Sequence, residues 1–153
     1  MTRMRIRELA ACRDHRRAII VLEDVSRCVT LTFDADPDEA RRLAQELQRG
    51  RRTCHPVYDF VGGLFRAFGA TPSRVVLDDV NGEGIGGTVY VRVDAAEIGV
   101  PCYPPDALAL ALRTNVPIFA SAGALDHGEP APPAEAGDAV GGWLQRLRPE
   151  DFG

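Results

Sequence analysis

Charged and apolar residues alternate over Arg3-Met-Arg-Ile-Arg7, the two-residue period of a strand with one wet face. Arg17 to Glu23 is a more apolar strand, and Cys28 to Phe33 a third, rich in β-branched residues. The period then lengthens. Asp36 stands where an N-cap belongs, Pro37 at the first helical position, and Asp38 and Glu39 in a first turn whose dipole favours negative charge. That predicts a helix to about Gln48, ended by Gly50. A second helix is predicted from Val57 to Phe68, with Val61, Leu64, Phe65 and Phe68 as its apolar stripe and Gly69 closing it. Gly62-Gly63 works against that helix. Ser73 to Asp78 and Thr88 to Val93 read as a hairpin around Asn81-Gly82. After Ile98-Gly-Val100 comes a third helix, Pro104 to about Arg113, and then a strand over Val116 to Phe119.

The chain repeats itself. Pro37, Glu39, Ala40, Leu43 and Ala44 recur as Pro104, Asp106, Ala107, Leu110 and Ala111, each set opening a helix after strand-like segments. The pattern predicts an α+β fold in which duplicated β-β-β-α units form a mixed sheet packed against helices. That domain spans 1–125. Residues 126–142 are Gly, Pro, Ala and acid, too poor in apolar side chains to bury, and read as a flexible linker. A short amphipathic segment with Trp143, Leu144 and Leu147 fills 143–153.

Composition narrows the chemistry. At 153 residues and 45% hydrophobic, the chain suits one globular domain. Its net charge of −4 excludes a grip on nucleic acid through overall basicity. All 18 basic residues are arginine, so Schiff-base chemistry and a phosphate-loop lysine are excluded. Charge is uneven: residues 1–52 hold 12 arginines against nine acids, and the remainder six against 13. A basic first third can draw an anion locally. No apolar run suits a membrane span, and the arginine-rich start lacks the hydrophobic stretch of a signal peptide. Cys12, Cys28, Cys54 and Cys102 form no Cys-x-x-Cys pair and are read as reduced thiols of a cytoplasmic protein.

Several motifs fail on inspection. Asp34 to Glu39 alternates oxygen ligands but lacks the glycine and distal glutamate of a calcium loop; helix capping accounts for it. Gly82-Glu-Gly-Ile-Gly-Gly87 precedes a strand rather than a helix, so it reads as a hairpin loop and not a nucleotide fingerprint. Ser26, Ser73 and Ser121 lie in no nucleophile elbow. His15 and His127 read as loop residues. Two segments are denser in chemistry. Cys54-His-Pro-Val-Tyr-Asp59 places a thiol, an imidazole, a phenol and a carboxylate at a helix mouth, where either shifted pKa values or plain loop entry explains them. Cys102-Tyr-Pro-Pro-Asp106 puts Tyr103 at an N-cap, for which tyrosine is a poor choice, and Asp106 where it can complete a cap.

Pro104-Pro-Asp-Ala-Leu-Ala-Leu-Ala-Leu-Arg-Thr114, followed by Pro117-Ile118, resembles the bifunctional nuclease domain family, whose members carry D-A-R-P-S-D-A-I-A-L-A-L-R and then a P-I strand. Pro37-Asp-Glu-Ala40 resembles its P-F-E-A helix start, Gly87-Thr-Val-Tyr-Val91 its G-T-F-Y-A strand, and Leu147 to Phe152 its L-x-P-E-D-F ending. The resemblance implies an α+β fold, homo-oligomers with a dimer favoured, and hydrolysis of phosphodiester bonds in DNA and RNA. Two signature segments depart from it. Where the family has R-P-x-T-H-D, this chain keeps only Asp59, with Cys54 for the arginine and Tyr58 for the histidine. Where it has D-A-R-P-S-D, Pro104 and Asp106 remain while Pro101, Tyr103 and Pro105 replace aspartate, arginine and serine.

The lost imidazole and guanidinium are groups a phosphodiesterase needs for proton transfer and phosphate charge. Two functions follow. In a divergent nuclease, Asp59 and Asp106 hold Mg²⁺ or Mn²⁺, and Arg51, Arg52 and Arg113 contact phosphate. In a domain recruited to a small organic ligand, Tyr58, Tyr103, His55 and Asp59 line a pocket beside Cys102, with His55 or Tyr103 as acid or base. A non-enzymatic scaffold is the third expectation. No membrane partner is expected.

Overall fold

The computed structural model describes residues 1–12, 16–48, 56–127 and 144–146. Three strands open the chain: β1 (Thr2–Cys12), β2 (Ala18–Asp24) and β3 (Thr30–Ala35), followed by α1 (Pro37–Leu47). Helix α2 (Pro56–Ala67) leads into β4 (Ala70–Asp79), β5 (Ile85–Val93), β6 (Ala96–Cys102) and α3 (Pro104–Thr114). Strand β7 (Ile118–Ala120), the short α4 (Ala122–His127) and β8 (Leu144–Arg146) complete the described chain. All eight strands join one mixed sheet in the order β3-β2-β1-β7-β4-β5-β6, with β8 pairing β1.

The predicted duplication is present. One β-β-β-α unit lies on each side of β7, which pairs antiparallel with β1 and parallel with β4. Helices α1 and α3 lie against each other, and small residues on both (Ala40 and Ala44, Ala107 and Ala111) are buried, which permits the close approach. Arg113 and Glu46, 67 residues apart like Pro104 and Pro37, face each other as equivalent positions of the two units. Ile20, Leu22, Leu31, Val75, Leu77 and Leu108, all fully buried, centre the core between sheet and helices.

Several expectations change in detail. Strand β1 runs five residues past Arg7, because a bulge between Ile6 and Glu8 resets its facing and brings Leu9 into the core. Segment 96–102 is a full edge strand, exposed along nearly all its length. The hairpin turns at Asn81 and Gly82, both at positive φ, but β5 already begins at Ile85, so Gly86 and Gly87 belong to the ladder rather than the loop. Helix α2 forms despite its two glycines, yet its predicted stripe is only partly its buried face. Leu64 and Phe68 are exposed together with Val57 and Phe60, while Tyr58 is buried and Phe65 partly so. Asp126 and His127 belong to α4 rather than to a linker, and 144–146 is a strand. The rest of the linker, Trp143 and Leu147 to Phe152 lie outside the described residues. Cys28 and Cys102 are free thiols. No helix among the described residues is long and apolar enough to cross a membrane.

Candidate functional site

Capping brings the helices to the site. Pro37 and Pro104 start α1 and α3, and the Glu39 carboxylate accepts the Asp36 backbone N–H at 3.0 Å, as a capping box requires. At the corresponding place before α3, Tyr103 makes no side-chain cap bond and is half exposed. Its phenol reaches toward Glu39 on α1, and burial followed by the nearby Glu39 and Asp36 carboxylates raises its pKa.

Asp106, one turn into α3, faces α2. The Tyr58 hydroxyl donates to Asp106 Oδ1 at 2.8 Å, joining the two signature segments. Tyr58 is only 5% exposed. Its burial, reinforced by the Asp106 carboxylate it serves, pushes the phenol far above its ordinary value, so it stays protonated and donating at neutral pH. Two turns along α3, Arg113 donates from Nη2 to Asp59 Oδ1 at 2.6 Å and from Nη1 to Glu46 Oε1 at 3.1 Å. The same guanidinium lies 5.8 Å from the centre of the Tyr58 ring. One side chain thus ties α1, α2 and α3 together.

Beside this network an open cleft of about 350 Å³ separates α2 from α3. Tyr58, Asp59, Gly62, Phe65 and Arg66 line it from α2, and Leu110, Arg113 and Thr114 from α3. Tyr103 and Cys102 are not among its walls. The half-buried Cys102 thiol is pushed up to about 11 by burial first and by Asp106 second, which leaves it uncharged and a weak nucleophile at neutral pH.

Tyr58, Asp59, Asp106 and Arg113 therefore meet in one place. Arg51, Arg52, His55 and Cys54 lie outside the described residues. Sequence reasoning missed Glu46, Phe65, Arg66 and Leu110 as members. Glu46 was open to discovery, since the 67-residue offset between repeats lands it on Arg113. The donor set fits a divalent ion poorly: the carboxylate of Asp59 is held by Arg113 and that of Asp106 by Tyr58. Among the described residues no three His, Cys, Asp or Glu side chains gather as a metal ion needs.

The model of the bifunctional nuclease domain matches residues 20–129, well over half of the chain. The chain belongs to the bifunctional nuclease domain family. The match takes in most of β2 and the chain on through α4, and with it the three helices α1, α2 and α3 that Arg113 joins. No curated protein matches the chain. Within this bifunctional nuclease domain, Tyr58 is a buried, hydrogen-bonded phenol.

The raised groups fix an alkaline dependence. Cys102 contributes stability that is complete below its ordinary 9.0 and is lost as pH rises through about 11. Tyr58 adds a loss of the same sign, beginning above its ordinary 10.0. Melting temperatures recorded across that window should fall with pH. A Cys102→Ala variant should begin its decline later than the parent; an identical onset contradicts the assignment.

Proposed function

We propose that this bifunctional nuclease domain binds a small organic molecule in the α2–α3 cleft and has lost phosphodiester hydrolysis. The 2.8 Å bond from the buried Tyr58 hydroxyl to Asp106 carries the reading. An imidazole at that place could take and return a proton near neutral pH, whereas a phenol held protonated cannot serve as the base. The carboxylates that would gather a metal are engaged by Tyr58 and Arg113. The cleft beside them has a volume near the lower end of the roughly 300–1,000 Å³ typical of ligand pockets, with Phe65 and Leu110 as apolar walls among the polar side chains of Tyr58, Asp59, Arg66, Arg113 and Thr114.

A second reading, metal-dependent hydrolysis of DNA or RNA, draws on the meeting of Asp59 and Asp106 on neighbouring helices. Purified protein incubated with single-stranded DNA and RNA in Mg²⁺ or Mn²⁺ decides between them. The proposal expects no cleavage beyond that of an Asp106→Ala control. Cleavage that the substitution removes would overturn it in favour of the nuclease.

A further inference from the structure

Helix α2 carries two adjacent glycines, Gly62 and Gly63, in its interior. Glycine is less favourable there than alanine, so a helix tolerates it for a reason outside its own backbone. Usually that reason is a neighbour too close for a Cβ. Here there is none: a Cβ on Gly62 would meet only the Arg66 guanidinium at 3.7 Å, and one on Gly63 the same group at 4.0 Å. Both are ordinary contacts with the end of a flexible side chain. Packing within the chain thus leaves room for alanine at both positions. Gly62 lines the cleft and Gly63 does not.

Arg66 supplies the second observation. It stands in the last turn of α2, where its charge would suit the helix dipole, yet its head lies a turn back toward Gly62 and Gly63. Among the described residues its side chain makes no ion pair or hydrogen bond. Arg113 across the cleft is engaged by Glu46 and Asp59. The cleft thus offers a helix surface without a Cβ at Gly62, the Arg66 guanidinium 3.7 Å from where one would stand, and apolar walls at Phe65 and Leu110, with Asp59 and Arg113 paired to each other beside them.

We propose that the α2–α3 cleft takes a compact planar organic anion, an aromatic carboxylate or aryl phosphate, laid across Gly62 between Phe65 and Leu110 with its charge on Arg66. This deepens the small-molecule reading and rests on it. A flat ring needs the space a Cβ would fill, and a guanidinium pairs with carboxylate or phosphate through two parallel N–H bonds.

Amide NMR titrations with benzoate, phenyl phosphate and benzamide test the idea. One or both anions should bind the cleft at least roughly tenfold more tightly than neutral benzamide, and the stronger of the two identifies the anionic group. Arg66→Gln should bring the preferred anion down to the benzamide level. Gly62→Ala should raise the melting temperature by about 2–4 °C and abolish binding. Gly63→Ala should raise it similarly and leave binding intact. Benzamide binding as tightly as both anions, with Gly62→Ala still blocking it, would overturn the anionic class while leaving a small-molecule cleft. Absence of binding by all three probes to the parent protein would overturn both.

Discussion

Replacing Arg113 with alanine is expected to lower stability by about 3 kcal/mol, near the low end of what breaking a buried ion pair costs. The low end applies because the Arg113 and Glu46 side chains are 21% and 10% exposed, buried mostly but not wholly, while Asp59 is half exposed. Most of the loss comes from Glu46, whose mostly buried carboxylate would lose the Arg113 guanidinium. Contact with the Tyr58 ring goes as well. Arg113→Lys should recover only part, since an ammonium lacks the planar fork that spans two carboxylates on different helices. A denaturant midpoint measured with unchanged slope reads the effect. A loss below about 1 kcal/mol would mean that Arg113 behaves as a solvated surface charge and does not join the three helices.

Gly87→Ala is expected to cost about 2–3 kcal/mol by overpacking. A Cβ at this position of β5 would stand 2.7 Å from the Cys102 carbonyl oxygen, 3.2 Å from the Ala107 Cβ and 3.4 Å from the Pro104 Cα. Two of these three atoms are backbone, and none can rotate away, so the end of β6 and the first turn of α3 must shift. Asp106 sits in that turn and would move relative to Tyr58. Gly86→Ala is the control. Its Cβ would meet a methyl of Val80, the end of a side chain that can turn aside, and should cost less than about 1 kcal/mol. Equal costs at the two glycines, measured in the same denaturant, would remove the link between Gly87 and the seating of α3.

What the sequence makes legible follows from where local signals are strong. Helices α1 and α3 announce themselves by proline at their first positions and acids in their first turns, and both begin at those prolines. The hairpin is read from Asn81-Gly82, because that backbone requires positive φ. Strand β6 is harder to see: it is an exposed edge, with Gly99 and Pro101 in it and no buried face to impose alternation. The full length of β1 is hidden by its bulge, which breaks the two-residue period after Ile6. Helix α2 misleads for another reason. Its buried face is set by Tyr58 and Phe65 with the core, so of the predicted stripe Phe65 is packed against the core while Leu64 and Phe68 are exposed.

The site divides in the same way. Tyr58, Asp59, Asp106 and Arg113 stand out because two chemically dense segments flank helices of recognisable type. That the segments meet is a matter of tertiary structure, and no local spacing encodes it. Phe65 and Arg66 look like an ordinary core aromatic and an ordinary helix-terminal cation. Gly62 looks like a defect in α2. Only the tertiary placement of α2 beside α3, with the Arg66 guanidinium turned back over Gly62, makes these three residues parts of one cleft.

In the proposed function, Asp106 and Asp59 are closed onto Tyr58 and Arg113 while the cleft beside them takes a small ligand. Amide NMR on one sample, titrated first with benzoate and then with a single-stranded DNA oligonucleotide in Mg²⁺, tests it most directly. The account predicts that benzoate shifts the amides of Gly62, Phe65 and Arg66, and that oligonucleotide with Mg²⁺ leaves those of Asp59 and Asp106 unmoved. Shifts at Asp59 and Asp106 that need both Mg²⁺ and oligonucleotide, with Gly62 and Arg66 indifferent to benzoate, would contradict it.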